Sequence, residues 1–298
     1  MPRGLSNTFM AALKTGVLAP LLDLVKADRT LCLEIRDDYL NIYYRGGNLM
    51  RISPTNGGYS AFFDTKYFAT PVPSMPEAPL LNAAHVAAWL AALPVLKQAM
   101  DIWQPGEERE VQQIIVRDNN VGGIANSTDY YICDIEFTIA KRKRFDFVAV
   151  HWPSKGDVRK RQDGHRLVVG EVKFGDGALK GKSGLHGHID DVNAYFALPG
   201  NLAAIKEQML CVFNQKRELG LVESKKNLTG FSDEPPILLL VLANHDPEST
   251  LLRGLLGSLP PSPHAELRIA TGSLIGYGLY DPAILTIDEA RVRLGACI

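Results

Sequence analysis

The chain has 298 residues, of which 46% are hydrophobic and 22% are charged, and its formal net charge is −1. This balance excludes a disordered tail, a collagen-like chain and a coiled coil, and the length suffices for one or two domains with buried cores. The longest clean apolar run, 86–93, is far shorter than the roughly 20 residues that a membrane helix needs. Because the N-terminus lacks a signal-peptide pattern and no C-x-x-C pair occurs, we expect a cytoplasmic protein without a membrane partner.

The charges are distributed unevenly along the chain. Between Lys141 and Lys182 there are twelve Lys and Arg residues but only five Asp and Glu residues, a local balance of +7. A basic block within a neutral chain is typical of a phosphate-binding surface, and a solvated loop is the alternative.

The first hundred residues predict an accessory α/β module. Hydrophobic periodicity and turn signals indicate a helix over 6–27 with a kink near Pro20, and strands over 31–36, 39–45 and 49–52. A Pro-rich linker at 71–79 precedes a helix over 82–103 that bends at Pro94. We place a domain boundary near residue 100, so that 1–100 is the accessory module and 101–298 carries the chemistry.

From residue 107 the pattern predicts a second α/β region with a mixed central sheet. The expected strands are 130–140, 144–152, 166–174, 236–244 and 266–271. The expected helices are 107–117, 185–197, 201–218 and 248–257. The short basic segment between the first two strands indicates an antiparallel hairpin, and the apolar run ILLLVLA indicates a strand buried on both faces.

Three charged residues lie within otherwise apolar strands of this region. Asp146 occurs in FDFVAV, and Glu171 and Lys173 occur in LVVGEVKF, where alternation places them on one face. Burying such charges is unfavourable unless they pair or bind a metal. Two carboxylates can hold Mg²⁺, and a neighbouring lysine can orient the attacking water in phosphodiester hydrolysis. The alternative is a structural salt bridge between Lys173 and one of the acids.

The motif and the order of elements resemble the PD-(D/E)xK nuclease superfamily, which has the fold of many restriction endonucleases. That core is a helix, three antiparallel strands, a helix and a strand, with an acid on the second strand and (D/E)-x-K on the third. The resemblance covers about half of the chain, and Phe145 stands where the motif has proline. It implies that Asp146, Glu171 and the carbonyl of Val172 bind Mg²⁺ or Mn²⁺, and that Lys173 assists the water.

Two further acids are candidates for the same site. The family often adds a glutamate from the first core helix, and among positions 107, 108 and 110 we favour Glu108 because it shares a face with Val111 and Ile115. Glu136 lies across from Asp146 if the hairpin turns at Lys141, an unfavourable like-charge pair unless a cation lies between them.

Basic and polar residues around the motif are candidates for contacts with nucleic acid. The helix after the third strand carries His188, Asp191 and Tyr195 on one face, for which simple surface polarity is the alternative. The predicted nucleic-acid-binding residues are Lys141, Arg142, Lys143, Arg144, Lys180, Lys182 and His188.

Two other motifs are possible in the same stretch. Residues 175–183 resemble a Walker A loop, but Asp176 occupies the first glycine position and would repel phosphates. The segment HGHIDD at 186–191 is one histidine short of the zinc motif of metallo-β-lactamase-like hydrolases.

The sequence thus predicts a magnesium-dependent nuclease that acts on nucleic acid, with DNA favoured over RNA. The accessory module would serve substrate choice, partner binding or formation of a homodimer. The alternative is a catalytically inactive nuclease-fold protein that binds nucleic acid or a protein partner and keeps the charged residues as an ion-pair network.

Overall fold

The chain forms two compact units, each with its own β-sheet. The computed structural model describes residues 3–68, 72–103, 106–120, 127–140, 143–181, 183–244, 250–272, 279, 281 and 284–295. The first unit comprises Met1–Arg117 and Cys211–Lys225, and the second comprises Asp118–Leu210 and Lys226–Ile298. The predicted boundary near residue 100, between the accessory module and the region that carries the chemistry, stays a prediction.

The first unit contains a five-stranded antiparallel sheet whose strands are neighbours in chain order. Its strands are β1 (Leu31–Ile35), β2 (Leu40–Tyr44), β3 (Gly47–Thr55), β4 (Gly58–Phe62) and β5 (Pro79–Leu80). Its helices are α1 (Asn7–Lys14), α2 (Ala19–Ala27), α3 (Ala83–Trp103) and most of α4 (Glu107–Asn120). The three predicted strands are confirmed, and β4 and β5 extend the meander.

The predicted single helix over 6–27 is wrong, because residues 15–18 separate α1 from α2. Pro20 lies in the first turn of α2, where its missing N–H removes no helical hydrogen bond. The proline therefore begins a helix instead of kinking one.

Within the described ranges no single helix is both long and apolar enough to cross a membrane. The helices α1 and α2 together reach that length and hydrophobicity, but they are bent by 65° relative to each other.

The second unit contains a six-stranded mixed sheet with the order β11-β10-β9-β8-β7-β6. Its strands are β6 (Tyr130–Ala140), β7 (Lys143–His151), β8 (Arg166–Phe174), β9 (Ile237–Ala243), β10 (Glu266–Gly272) and β11 (Ile284–Thr286). Its helices are α5 (Gly156–Arg159), α6 (Leu185–Phe196), α8 (Thr250–Leu256) and α9 (Ile287–Arg293). Helix α7 (Asn201–Glu218) begins in this unit, and its residues from 211 onward belong to the first.

The sheet of the second unit is mixed, and its first two strands form the predicted antiparallel hairpin. Strands β6, β7 and β8 are antiparallel, whereas β8, β9 and β10 run parallel. All seven residues of β9 are buried, as expected for an apolar central strand. The predicted strands and helices between residues 107 and 271 are confirmed to within a few residues, so the chain has a mixed α/β fold.

Candidate active site

Strands β7 and β8 separate at the position where the predicted acids lie. Their ladder ends at the pair Phe147 and Gly170, and beyond this point β8 continues beside β9 alone. The N–H of Val172, which has no ladder partner on β7, donates a 2.8 Å hydrogen bond to Oδ2 of Asp146. The carboxylate of Asp146 therefore lies against the backbone of the segment 171–173.

The predicted Glu171 and Lys173 form a direct ion pair on β8. Nζ of Lys173 donates to Oε1 of Glu171 at 2.6 Å. Nε2 of His188, from α6, lies 2.8 Å from the same oxygen and 3.2 Å from Nζ of Lys173. Asp146 is 6% exposed and both β8 residues are 4% exposed, whereas the His188 side chain is 22% exposed. The cluster is thus buried, with histidine at its accessible edge.

The charged side chains of this cluster are buried beside one another. When ionised, Asp146 and Glu171 carry two negative charges, and Lys173 carries one positive charge. Burying a charge is strongly unfavourable unless it pairs or binds a metal. The ion pair of Glu171 and Lys173 meets this condition directly.

The donors present here fit the chemistry of Mg²⁺. Within the described residues, no group of three or more His, Cys, Asp and Glu side chains is arranged to hold a metal ion. Mg²⁺, however, is usually bound by one or two carboxylates and keeps several waters. In an extended strand the N–H and C=O of one residue point to the same side, so the Val172 carbonyl faces the side of Asp146. Magnesium and the ligands Asp146, Glu171 and Val172 stay predictions.

Helix α6 is held on the sheet by aromatic contacts at its C-terminal end. The ring of Phe145 on β7 lies 5.4 Å from that of Tyr195 and 6.1 Å from that of Phe196. One helical face is buried by residues that recur every three or four positions, namely Leu185, Ile189, Val192 and Phe196. This packing positions the neighbouring face, including His188, against β8.

The sequence missed one contact of this helix. The sequence predicts that His188 contacts nucleic acid, but it does not reveal that His188 contacts Glu171. The regular spacing of His188, Asp191 and Tyr195 was the available signal. In the structure Asp191 contacts Lys143 at 2.5 Å and Tyr195 packs on β7, so the face that carries these three residues meets the sheet.

The flanking pairs of β6 and β7, 135 with 147 and 137 with 145, put Glu136 across from Asp146 in sequence register, as expected for a hairpin that turns at 141. The carboxylate of Glu136 forms an ion pair of 3.3 Å with Arg144. Its φ of 53° is in the left-handed region, which is uncommon for residues other than glycine. A catalytic role for Glu136 stays a prediction.

Glu108 lies in the part of α4 that belongs to the first unit, and its role stays a prediction. The neighbouring Glu110 is engaged elsewhere, since Nε and Nη2 of Arg45 donate to its two oxygens at 2.9 Å each. Of the three glutamates considered from the sequence, Glu110 therefore has a structural partner within the first unit.

The predicted nucleic-acid-binding residues are only partly described. The side chains of Lys143 and Arg144 at the start of β7 are 52% and 44% exposed, and Lys180 is also exposed. Three of the predicted contacts lie outside the described residues, namely Lys141, Arg142 and Lys182.

The two histidines of the possible zinc motif have different neighbours. Nε2 of His186 lies 3.4 Å from Oγ of Ser258, whereas Nε2 of His188 contacts Glu171.

Comparisons with known proteins identify no relative of this chain. No family model matches the sequence, and neither curated proteins nor solved structures have significant similarity to it. The resemblance to PD-(D/E)xK nucleases therefore depends on the motif and the order of elements.

Proposed function

We propose that this protein is a metal-dependent nuclease with the restriction-endonuclease-like core and an active site at the separation of β7 and β8. The observation that carries the proposal is the hydrogen bond from the Val172 N–H to Asp146, with the ion pair of Glu171 and Lys173 beside it. It brings an acid from the second core strand to the Glu-x-Lys segment of the third. The acids and the lysine are nine-tenths or more buried, which is unusual for charged residues without a functional or pairing role.

Each residue of the site has a defined task in this proposal. Asp146, Glu171 and the Val172 carbonyl would hold Mg²⁺, which supplies charge stabilisation and activation of water when bound. Lys173 is held by Glu171 and His188, so its ammonium group is fixed before substrate arrives. It would orient the attacking water and stabilise negative charge that develops on the phosphate. His188, at the accessible edge, would fix the position of Lys173 relative to the substrate.

The exposed basic residues beside the site support a polyanionic substrate. Lys143 and Arg144 precede Asp146 on β7, and Lys180 lies between β8 and α6. Lysine and arginine at such positions bind phosphates without reading sequence. Binding should therefore weaken steeply as the salt concentration rises.

The proposal is tested by incubating the full chain with labelled single- and double-stranded DNA and RNA in Mg²⁺, Mn²⁺ or chelator. We expect cleavage that requires the metal and falls by about 100-fold or more in Lys173→Ala, because a buried positive charge near the phosphate is lost. Asp146→Asn should also be inactive but folded, since an amide oxygen can still accept the hydrogen bond from Val172.

The chain offers a matched control in its second Glu-x-Lys sequence, Glu223 to Lys225. Lys225 is exposed and lies outside any helix or strand, so Lys225→Ala should cleave like the wild type. Unchanged cleavage by Lys173→Ala would contradict the assignment. If no substrate is cleaved and Mg²⁺ does not raise the melting temperature, the cluster is a structural ion-pair network and the protein has a binding role.

A further inference from the structure

A second candidate site lies in the first unit, outside the proposed nuclease site. A cavity of about 330 Å³ is lined by residues that follow α2 and β2, by the end of α3 and by one face of α4. Ligand sites in proteins generally measure roughly 300–1,000 Å³, so this volume suits a small ligand.

Two lining residues of the cavity, Arg45 and Gln113, flank a close contact between the β2–β3 turn and α4. Gly46 has a φ of 74°, and a Cβ atom there would lie 2.3 Å from the backbone carbonyl of Arg109. Its N–H donates to Oε1 of Gln113 at 2.6 Å, and Nε2 of Gln113 donates to the carbonyls of Thr30 and Tyr43. Only glycine fits this turn, and the buried glutamine fixes the backbone around it.

Charged groups that line the cavity are fixed by one another. Arg45, with a φ of 48°, donates to both oxygens of Glu110 and, at 3.0 Å, to Oδ1 of Asp101. The hydroxyl of Tyr44 donates to the same oxygen at 3.0 Å. Burial and this hydrogen bond raise the pKa of Tyr44, which keeps the hydroxyl protonated. Within the described residues, Oδ2 of Asp101 receives no hydrogen bond and remains an acceptor for a ligand.

The lining of the cavity has a net positive charge. Three arginines against two carboxylates give a charge of +1. Arg29 and Arg117 are exposed, and Arg29 forms no hydrogen bond or ion pair with any part of the chain that the structure describes. Because guanidinium groups bind phosphate oxygens in pairs of hydrogen bonds, these two arginines suit a phosphate group.

We propose that this cavity binds a nucleoside monophosphate, either free or as the phosphorylated end of a nucleic acid. Arg29 and Arg117 bind the phosphate, and Oδ2 of Asp101 accepts a hydrogen bond from a ribose hydroxyl or a base amino group. Tyr44 and Ile114 supply apolar surface for the rest of the ligand. The inference goes beyond the proposed nuclease activity and does not depend on it, since the residues belong to the other unit.

The test is calorimetric titration of the full chain with the 5′-monophosphates of adenosine, guanosine, cytidine and uridine. We expect at least one to bind, and to bind about 10-fold or more tightly than the unphosphorylated nucleoside or inorganic phosphate, because each lacks one half of the contacts. Arg29→Ala and Asp101→Asn should each weaken binding by about 10-fold. Arg109→Ala is the matched control, since Arg109 is an exposed arginine of α4 that does not line the cavity.

Four results would overturn the inference. The first is that none of the four nucleotides binds, and the second is that inorganic phosphate binds equally well. The third is unchanged affinity in Arg29→Ala. The fourth is loss of binding in Asp146→Asn alone, which would put the nucleotide in the proposed nuclease site.

A competition experiment identifies the source of the ligand. A 5′-phosphorylated single-stranded oligonucleotide that displaces the bound nucleotide identifies the end of a nucleic acid, and failure to displace it identifies free nucleotides.

Discussion

Gly170 determines how closely β7 approaches the residues of the candidate site. It is the last residue of β8 that pairs with β7, and its partner there is Phe147. A Cβ atom at position 170 would lie 1.9–2.3 Å from three ring atoms of Phe147, which is fully buried. The glycine therefore leaves room for the ring beside Asp146 and Glu171.

We predict that Gly170→Ala lowers the free energy of unfolding by about 1–3 kcal/mol, because the buried ring of Phe147 would have to shift to accommodate the added methyl group. Urea denaturation of the two proteins measures this difference. Gly177→Ala is the control, since a Cβ atom there would meet no atom within 4 Å. A second change, Phe147→Leu, should recover part of the stability in the Gly170→Ala background. No recovery would contradict the steric explanation.

The charged residues of the candidate site could be identified from the sequence for a physical reason. Charged residues in apolar strands are rare, so Asp146, Glu171 and Lys173 stand out without any structure. Gly170 and His188 do not stand out in this way. Their roles depend on which atoms of other elements lie next to them, and a local pattern does not contain that information.

At the scale of elements, two connecting segments pair in front of the parallel strands β8 and β9. His165 and Phe231 form an isolated bridge, and the N–H of Ser232 donates to the carbonyl of His165 at 2.8 Å. His165 is only 3% exposed, and its Nε2 lies 3.2 Å from the carbonyl of Arg161. The segment before β8 is thus joined to the segment before β9 around a buried histidine.

Burial lowers the pKa of His165 below its ordinary value of 6.5, and this effect outweighs the hydrogen bond to Arg161. The unfolded chain consequently binds a proton near pH 6.5, whereas the folded chain binds it only at lower pH. Stability from this group is fully present above pH 6.5 and is lost as the pH falls toward the folded pKa.

We therefore predict that the free energy of unfolding decreases between pH 7.5 and pH 5.5, and that the decrease is smaller in His165→Gln. Urea denaturation of both proteins at pH 7.5 and pH 5.5 gives the decrease in the free energy of unfolding for each. Contributions from titratable groups that the two proteins share cancel in the difference between these decreases. An equal decrease in both proteins would assign the pH dependence to other groups.

The elements themselves were predictable to different degrees. Strands β6 to β9 carry strong alternation or a continuous apolar run, so their existence and order follow from local pattern. Strand β5 has two residues and exists only because it pairs with β4, a contact that no local pattern encodes. The break between α1 and α2 was missed because Pro20 fits equally a kink or the start of a helix.

At the scale of the whole molecule, the first unit is built from two distant parts of the chain. Residues 211–225 belong to it, although they continue a helix that begins in the second unit. The sequence of α7 is an uninterrupted helical pattern and contains no sign of this division. The membership of this segment depends on contacts such as those of Gln215 with Leu5 and of Lys216 with Glu34, which are 210 and 182 positions apart.

One ion pair joins the two parts of the first unit in its interior. Nζ of Lys216 donates to Oε2 of Glu34 at 2.9 Å, and the two residues are 2% and 0% exposed. Nη1 of Arg36 lies 4.0 Å from the same carboxylate oxygen. Because this carboxylate has no access to water, its stability in the folded state depends on these cations.

We predict that Lys216→Met lowers the free energy of unfolding by about 3 kcal/mol, since removal of one partner of a buried ion pair leaves the other charge with less compensation. The value lies at the low end for such pairs because Arg36 remains near Glu34. The double variant Glu34→Gln with Lys216→Met should recover much of this loss, because the buried negative charge is then absent.

Lys14 and Glu218 provide the control, a pair that also joins the two parts but has side chains 43% and 47% exposed. Lys14→Met should change stability by less than about 1 kcal/mol, since water screens the exposed pair. Equal effects of the two lysine substitutions in urea denaturation would contradict the role of burial and assign the union of the two parts to apolar packing.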